Sequence, residues 1–160
     1  MTLDNKPVLK GGCQCGAVRF TLEGAPGDAS ICHCRMCQKA FGNVFAPLVS
    51  VGSARLTWTG AEPSRFQSSN HVMRGFCPRC GTPLTYEAPD GVALAIGAFD
   101  DPAALRPVVQ YGTEGKLPYT DDLPKLPGRP TADDHEGLGW LADIRSYQHP
   151  DHDTPAWPPR

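Results

Sequence analysis

Seven cysteines fall in three short clusters within the first 80 residues of a 160-residue chain, and none follows them. They read Cys13-Gln-Cys15-Gly16, Cys32-His-Cys34-Arg-Met-Cys37 and Cys77-Pro-Arg-Cys80-Gly81. In Cys-Pro-Arg-Cys-Gly, two thiolates two residues apart flank a tight turn that Pro enters and Gly leaves. Such a knuckle points both sulfurs at one ion, and Gly permits the positive φ that turns backbone N–H groups toward them. Cys-Gln-Cys-Gly is a tighter version of the same device. Each knuckle offers two ligands, and structural zinc takes four. Pairing Cys13 and Cys15 with Cys77 and Cys80 completes one closed site across a long loop, a closure that metal binding stabilises.

Cys32, Cys34 and Cys37 remain. Three thiols within six residues can bind one metal together, with the fourth position left to His33, water or a substrate. An open position separates a catalytic zinc from a structural one. Spacing alone also allows the triplet to share ligands with a knuckle, or to hold a purely structural zinc. His33 lies between two ligands and is expected to point away.

Other uses of cysteine fit less well. The count is odd, and the start MTLDNKPVLKGG has no apolar leader. A disulfide framework is therefore disfavoured, and a reducing, cytoplasmic setting is expected. No βαβ pattern surrounds Cys77–Cys80, which argues against a thioredoxin-type redox pair. Iron–sulfur clusters also use thiolates, but the knuckle glycines fit zinc better.

Composition sets further bounds. No segment reaches the roughly 18–20 apolar residues of a membrane helix, so no membrane partner is expected. Net charge is −2, which argues against a nucleic-acid partner bound by phosphate neutralisation. Residues 1–116 carry a net +2 and residues 117–160 a net −4, so the tail is an acidic appendage. Pro and Gly number 17 each, favouring short strands and many turns.

Alternation predicts strands over Ala17–Leu22, with Val18, Phe20 and Leu22 on one face, and over Val44–Val51, Arg55–Thr59, His71–Phe76, Pro83–Tyr86, Val92–Ala98 and Val108–Tyr111. That pattern reads as all-β. A short helix is expected over Cys34–Phe41. A longer one is expected over Asp133–Gln148, its Leu138, Leu141, Ile144 and Tyr147 stripe joined by Trp140 and docked on the domain. The Pro-rich stretches Leu123–Pro130 and Gln148–Arg160 read as wrapping chain or loose tail. His71, at a strand start with no recognisable partner, reads as structural or surface. Phe41, Phe45, Trp58 and Phe76 read as core.

Gly12-Cys-Gln-Cys-Gly16, Cys32-His-Cys-Arg-Met-Cys-Gln-Lys-Ala40 with Gly42, and Phe76-Cys-Pro-Arg-Cys-Gly81-Thr-Pro-Leu84 together resemble the glutathione-dependent formaldehyde-activating enzyme family, which is grouped with centromere protein V. Gly97-Ala-Phe-Asp-Asp-Pro102 and Leu117-Pro-Tyr119 with Asp122-Leu-Pro124 look like its later landmarks. The resemblance covers about residues 8–128. It implies a zinc-pinned, all-β β-tent of short antiparallel strands over 1–128, with a Pro-rich acidic extension over 129–160. It implies a structural zinc on Cys13, Cys15, Cys77 and Cys80, and a second, labile zinc on Cys32, Cys34 and Cys37 beside the substrate thiol. Gln110 and Tyr119 depart from the His and Trp that members often carry.

The implied activity is carbon–sulfur lyase chemistry on a glutathione-like adduct, such as formation of S-hydroxymethylglutathione from glutathione and formaldehyde. A metal-held thiol ionises near neutral pH, and the thiolate attacks the aldehyde carbon. Glutathione is an anion, so the cations flanking the clusters, Arg35, Lys39, Arg74 and Arg79, are candidates to hold its carboxylates. The alternative is a non-enzymatic zinc module for protein interaction or thiol sensing. The sequence leaves oligomeric state open.

Overall fold

The computed structural model describes residues 7–134, 139–155 and 157. Among the described residues, ten short strands form two sheets. The smaller consists of β1 (Val8–Gly12), β2 (Arg19–Glu23) and β5 (Arg55–Trp58), in that order. The larger is built from β3 (Ala29–Cys32), β4 (Ala46–Ser50), β6 (Ser64–Gln67), β7 (Met73–Phe76), β8 (Pro83–Ala88), β9 (Gly91–Ala95) and β10 (Val109–Tyr111). Its order is β10-β3-β4-β9-β8-β7-β6. All pairings are antiparallel except one: β10 lies parallel to β3. The all-β class is as expected, with this parallel edge added.

The expected alternation places Val18, Phe20 and Leu22 inside, at 0%, 1% and 0% exposure. Phe20 meets Trp58 and Phe99 edge-on at 5.8 and 5.0 Å, an arrangement that aromatic quadrupoles favour. Leu84, Leu94 and Val49 of the large sheet close the core from the other side. The strand expected over Val92–Ala98 stops at Ala95, and Ile96–Ala98 forms a 3-10 turn. That turn carries the chain from one sheet to the other, where Asp100 N–H donates to the Lys10 carbonyl.

The short helix α1 spans Arg35–Phe41. Cys34 caps its start by accepting from the Cys37 N–H, and the chain leaves through a left-handed turn at Gly42. Gln38 anchors it, donating from Nε2 to the carbonyls of His33 at 2.8 Å and Gly115 at 2.9 Å.

The extension differs from expectation. Two 3-10 turns, Thr131–Asp134 and Gly139–Asp143, occupy the stretch read as one helix, and Ile144–Gln148 is not helical. Residues 135–138, and Leu138 with them, lie outside the described residues. Trp140, Ile144 and Tyr147 stay exposed. Ile144 and Tyr147 line a cleft with Cys15, Cys80 and Trp157 without forming a helix, and tertiary packing, more than spacing, stabilises most helices.

The last segment packs instead. His149 is buried, and its N–H donates to the Gln14 carbonyl at 2.7 Å. Its ring meets Trp157 edge-on at 5.5 Å. Asp153 pairs with Lys10 at 2.5 Å and with Arg19 at 3.0 Å, and Arg19 also grips Asp100 through two bonds of 2.7 and 2.6 Å.

Candidate metal centres

The first knuckle follows β1, and the second follows β7. In each, a glycine N–H returns to the carbonyl of the first cysteine: Gly16 to Cys13 at 3.0 Å, Gly81 to Cys77 at 2.9 Å. Both glycines have positive φ, 75° and 78°, the left-handed turn that costs other residues steric strain. The turns bring the sulfurs of Cys13, Cys15, Cys77 and Cys80 within 4.8 Å of one another. Cys13 and Cys15 sulfurs lie 3.6 Å apart, and those of Cys15 and Cys77 3.8 Å. A disulfide needs about 2.0 Å, so these are not bonded pairs. A tetrahedron of sulfurs about 2.3 Å from a central zinc has edges of about 3.8 Å. The four donors therefore fit a closed tetrahedral metal site.

Partners beyond the sulfurs hold this set in place. Val18 N–H donates to the Cys13 sulfur at 3.3 Å. The Thr82 hydroxyl lies 3.1 Å from the Cys80 sulfur and accepts from the Gln14 N–H at 3.0 Å. Crowded thiols do not ionise alike. Burial pushes Cys13 up to about 12 and raises Cys77. Burial opposes Cys80 too, but is outweighed by the Thr82 hydroxyl and the N–H groups of Thr82 and Cys15, which bring it down to about 6.

The triplet assembles differently. Cys32 ends β3, Cys34 caps α1 and Cys37 sits in its first turn. Their sulfurs lie within 4.8 Å of one another, and among the described residues no fourth Cys, His, Asp or Glu joins them. Three thiolates with a free fourth side suit a metal site that a ligand can enter. Burial pushes Cys32 up to about 12. For Cys34, burial is outweighed by the Cys37 N–H, the neighbouring thiols and the Arg74 charge, so its thiol is lowered.

The triplet opens into a cleft of about 660 Å³ on the large sheet, lined also by Arg74, Tyr86, Asp28 and Asp90. Arg74 is 3% exposed. Its Nη2 donates to the Cys37 sulfur at 3.3 Å, its Nε to Ser68 Oγ at 2.9 Å, and its guanidinium stacks 5.1 Å over the Tyr86 ring. Burial first, and then the Cys37 sulfur, raise the Tyr86 hydroxyl.

His33 points away from the triplet, as its place between two ligands predicts. It is buried, and its Nε2 lies 2.8 Å from Gln110 Oε1. Of the four cations expected to hold a substrate, Arg74 alone lines the cleft. Arg35 donates to Gln38 Oε1 at 3.3 Å, and Lys39 is exposed on the outer side of α1. Arg79 lines a separate cleft with Cys15, Cys80 and residues 144–147. Tyr86, Asp28 and Asp90 carried no motif. The one signal for Asp28 is strand alternation counted back from Cys32.

Among the described residues, no helix is long and apolar enough to cross a membrane. The sequence profile of a family described as "Glutathione-dependent formaldehyde-activating enzyme" matches residues 8–114. A crystal structure of a Rhodobacter sphaeroides protein is similar at 23% identity and a TM-score of 0.47, covering 63% of this chain and 98% of that one.

Proposed function

The chain belongs to the glutathione-dependent formaldehyde-activating enzyme family, and on that premise we propose that it is a zinc-dependent carbon–sulfur lyase acting on thiol–formaldehyde adducts such as S-hydroxymethylglutathione. One observation carries the reading. The four-cysteine set is complete, whereas the three-cysteine set ends in a cleft with no fourth donor among the described residues. Zinc on Cys32, Cys34 and Cys37 supplies a coordination position that favours the ionised form of a substrate thiol.

The chain's own residues do the rest. Cys34 and Cys37 are held on one helical turn and Cys32 on the neighbouring strand, so the three sulfurs are preorganised. Arg74 offsets their negative charge from the Cys37 side. Tyr86, kept protonated, is a neutral hydrogen-bond donor of the cleft for the adduct oxygen. In the forward direction the thiol sulfur bonds to the aldehyde carbon, and the thiol proton ends on the former carbonyl oxygen. The reverse breaks the same carbon–sulfur bond.

The test is elemental analysis with ¹³C-formaldehyde NMR. Two zinc per chain, with adduct formation faster than the uncatalysed rate and lost in Cys34→Ser, supports the reading. Two zinc that exchange with no thiol, and no acceleration, would replace it with a non-enzymatic zinc module.

A further inference from the structure

We propose, on the reading of the triplet as the reacting centre, that Arg74 is a catalytic residue as well as a support: its Nη1 receives the formaldehyde oxygen while the carbon–sulfur bond forms. The strands β6, β7 and β8 place it. Arg74 stands opposite Tyr86 across β7 and β8, so the two side chains share one face. The chain reverses after β6, where the Ser68 N–H donates to the Val72 carbonyl at 2.8 Å, and this turn sets the Ser68 hydroxyl beside Arg74. Ser68, Tyr86 and Cys37 all line the cleft, as Arg74 does. A guanidinium is a planar fork of five donors. Here Nε goes to Ser68, Nη2 goes to the Cys37 sulfur, and the Tyr86 ring lies against the group. Two of the three nitrogens are tied down, so the direction of the third is fixed.

That third nitrogen is left over. Arg74 is 3% exposed, and its Nη1 has neither solvent nor a hydrogen-bond partner. A buried cationic donor without an acceptor is costly, and native structures rarely leave one. Among the described residues, no carboxylate pairs with Arg74. A smaller pocket of about 230 Å³ also touches Arg74, but its walls include Phe41, Phe66, Phe76 and Pro83. The one other polar side chain there, Thr85, accepts from the Gly75 N–H and donates to Glu87. The acceptor therefore has to arrive with the ligand, through the cleft.

The position of Nη1 selects which oxygen that is. Nη1 and Nη2 share one carbon, and Nη2 is on the Cys37 sulfur, so Nη1 stands beside the triplet. In an adduct whose sulfur sits at the triplet, the near oxygen is the one on the carbon bonded to sulfur. The carboxylates of glutathione lie at the far ends of the tripeptide. The bond changes balance: a sulfur lone pair forms the bond to carbon, the carbonyl π pair moves onto oxygen, and the thiol proton ends there. Arg74 keeps all its protons, since guanidinium does not ionise in proteins. It holds the growing negative charge through a charge-assisted hydrogen bond. A donor already in place and kept dry needs no reorganisation as the charge develops.

The test uses zinc-loaded protein, with Arg74→Met and Arg74→Lys saturated with zinc and checked for two equivalents. Lysine keeps a charge beside Cys37 but has no fork to hold sulfur and oxygen together. Calorimetry compares S-formylglutathione, which carries an oxygen on the carbon attached to sulfur, with S-methylglutathione, which lacks it. The unaltered chain is expected to bind the formyl compound about tenfold tighter, and both variants to lose that preference while still binding the methyl compound. In ¹³C-formaldehyde kinetics both variants are expected to lose about 100-fold in kcat and in kcat/KM alike, with the KM for glutathione unchanged. A normal kcat in the zinc-saturated variants, or no formyl preference in the unaltered chain, overturns the role of Nη1 and leaves the lyase reading standing. No acceleration by the unaltered chain overturns the lyase reading, and the catalytic role of Arg74 with it.

Discussion

The Arg74 guanidinium donates through Nη2 to the Cys37 sulfur over 3.3 Å while lying on the Tyr86 ring. A residue of β7 thus supports the triplet from a part of the chain that supplies none of its ligands. Partners of this kind typically tune metal affinity by about 10–100-fold. Arg74→Met is expected to weaken metal binding at the triplet by about that factor and to leave the four-cysteine site loaded. Titration with a competing chelator reads this as one early and one late equivalent. Two equivalents released as in the unaltered chain would remove Arg74 from the support of the site.

The two cysteine sets should separate on mutation. Cys77 is fully buried and joins chain segments far apart in sequence. Cys77→Ser is expected to abolish the folded circular dichroism signal, because metal binding at a closed site is folding free energy. Cys34→Ser is expected to fold and to hold one zinc. A folded Cys77→Ser chain with one zinc would show that the sheets stand without the knuckles.

Asp153 gives a pH dependence with a definite sign. Lys10 first, then Arg19, hold its carboxyl below the ordinary 3.8. A depressed carboxyl contributes stability above its ordinary value and loses it as pH falls through the folded value. Asp153→Asn is expected to lower the Tm at pH 7 by about 2–4 °C at most, since a pair this exposed is worth about 1 kcal/mol or less. The difference between the two proteins should be full above the ordinary carboxyl value and shrink as pH falls below it. A constant difference would mean that the charge is not what holds the segment.

Gly16 tests another contact of the same segment, that with His149 and Trp157. Its φ is 75°, and a Cβ there would overlap the His149 ring and lie 2.7 Å from Trp157. Gly16→Ala is expected to cost about 1–2 kcal/mol for the backbone, plus the lost docking of the last segment. In a chain ending at Gln148 only the backbone cost should remain, and a double-mutant cycle of denaturant unfolding separates the two. Equal costs in both backgrounds would show that His149 does not press on Gly16.

The grouping of the cysteines was legible because glycine-flanked knuckles announce their turn locally. The β2 face was legible for a similar reason: Val18, Phe20 and Leu22 alternate against one core. β3 was not. Ala29–Cys32 is four residues long, and both its faces are used, one by the cleft and one by Ile31 and His33. Its identity comes from pairing with β4 and β10, which no local signal encodes. Arg35 and Lys39 do not line the cleft, because nearness in sequence says nothing of direction. A helix that turns Cys37 and Gln38 inward turns those two out. The extension misled because helical spacing is only half of a helix, and packing decides the rest.

The seating of His149 and Asp153 on the first knuckle bears on biosynthesis. Domains generally fold during synthesis from the N-terminus onward, yet the four-cysteine set that includes Cys13 and Cys15 cannot be completed until Cys80 has been made. Their outer cover cannot form until Asp153 has been made. Cys13 and Cys15 are therefore sealed long after they are made, and a ribosome stalled in the extension would hold a chain with all four cysteines of the set present but Gln14 and Gly16 bare.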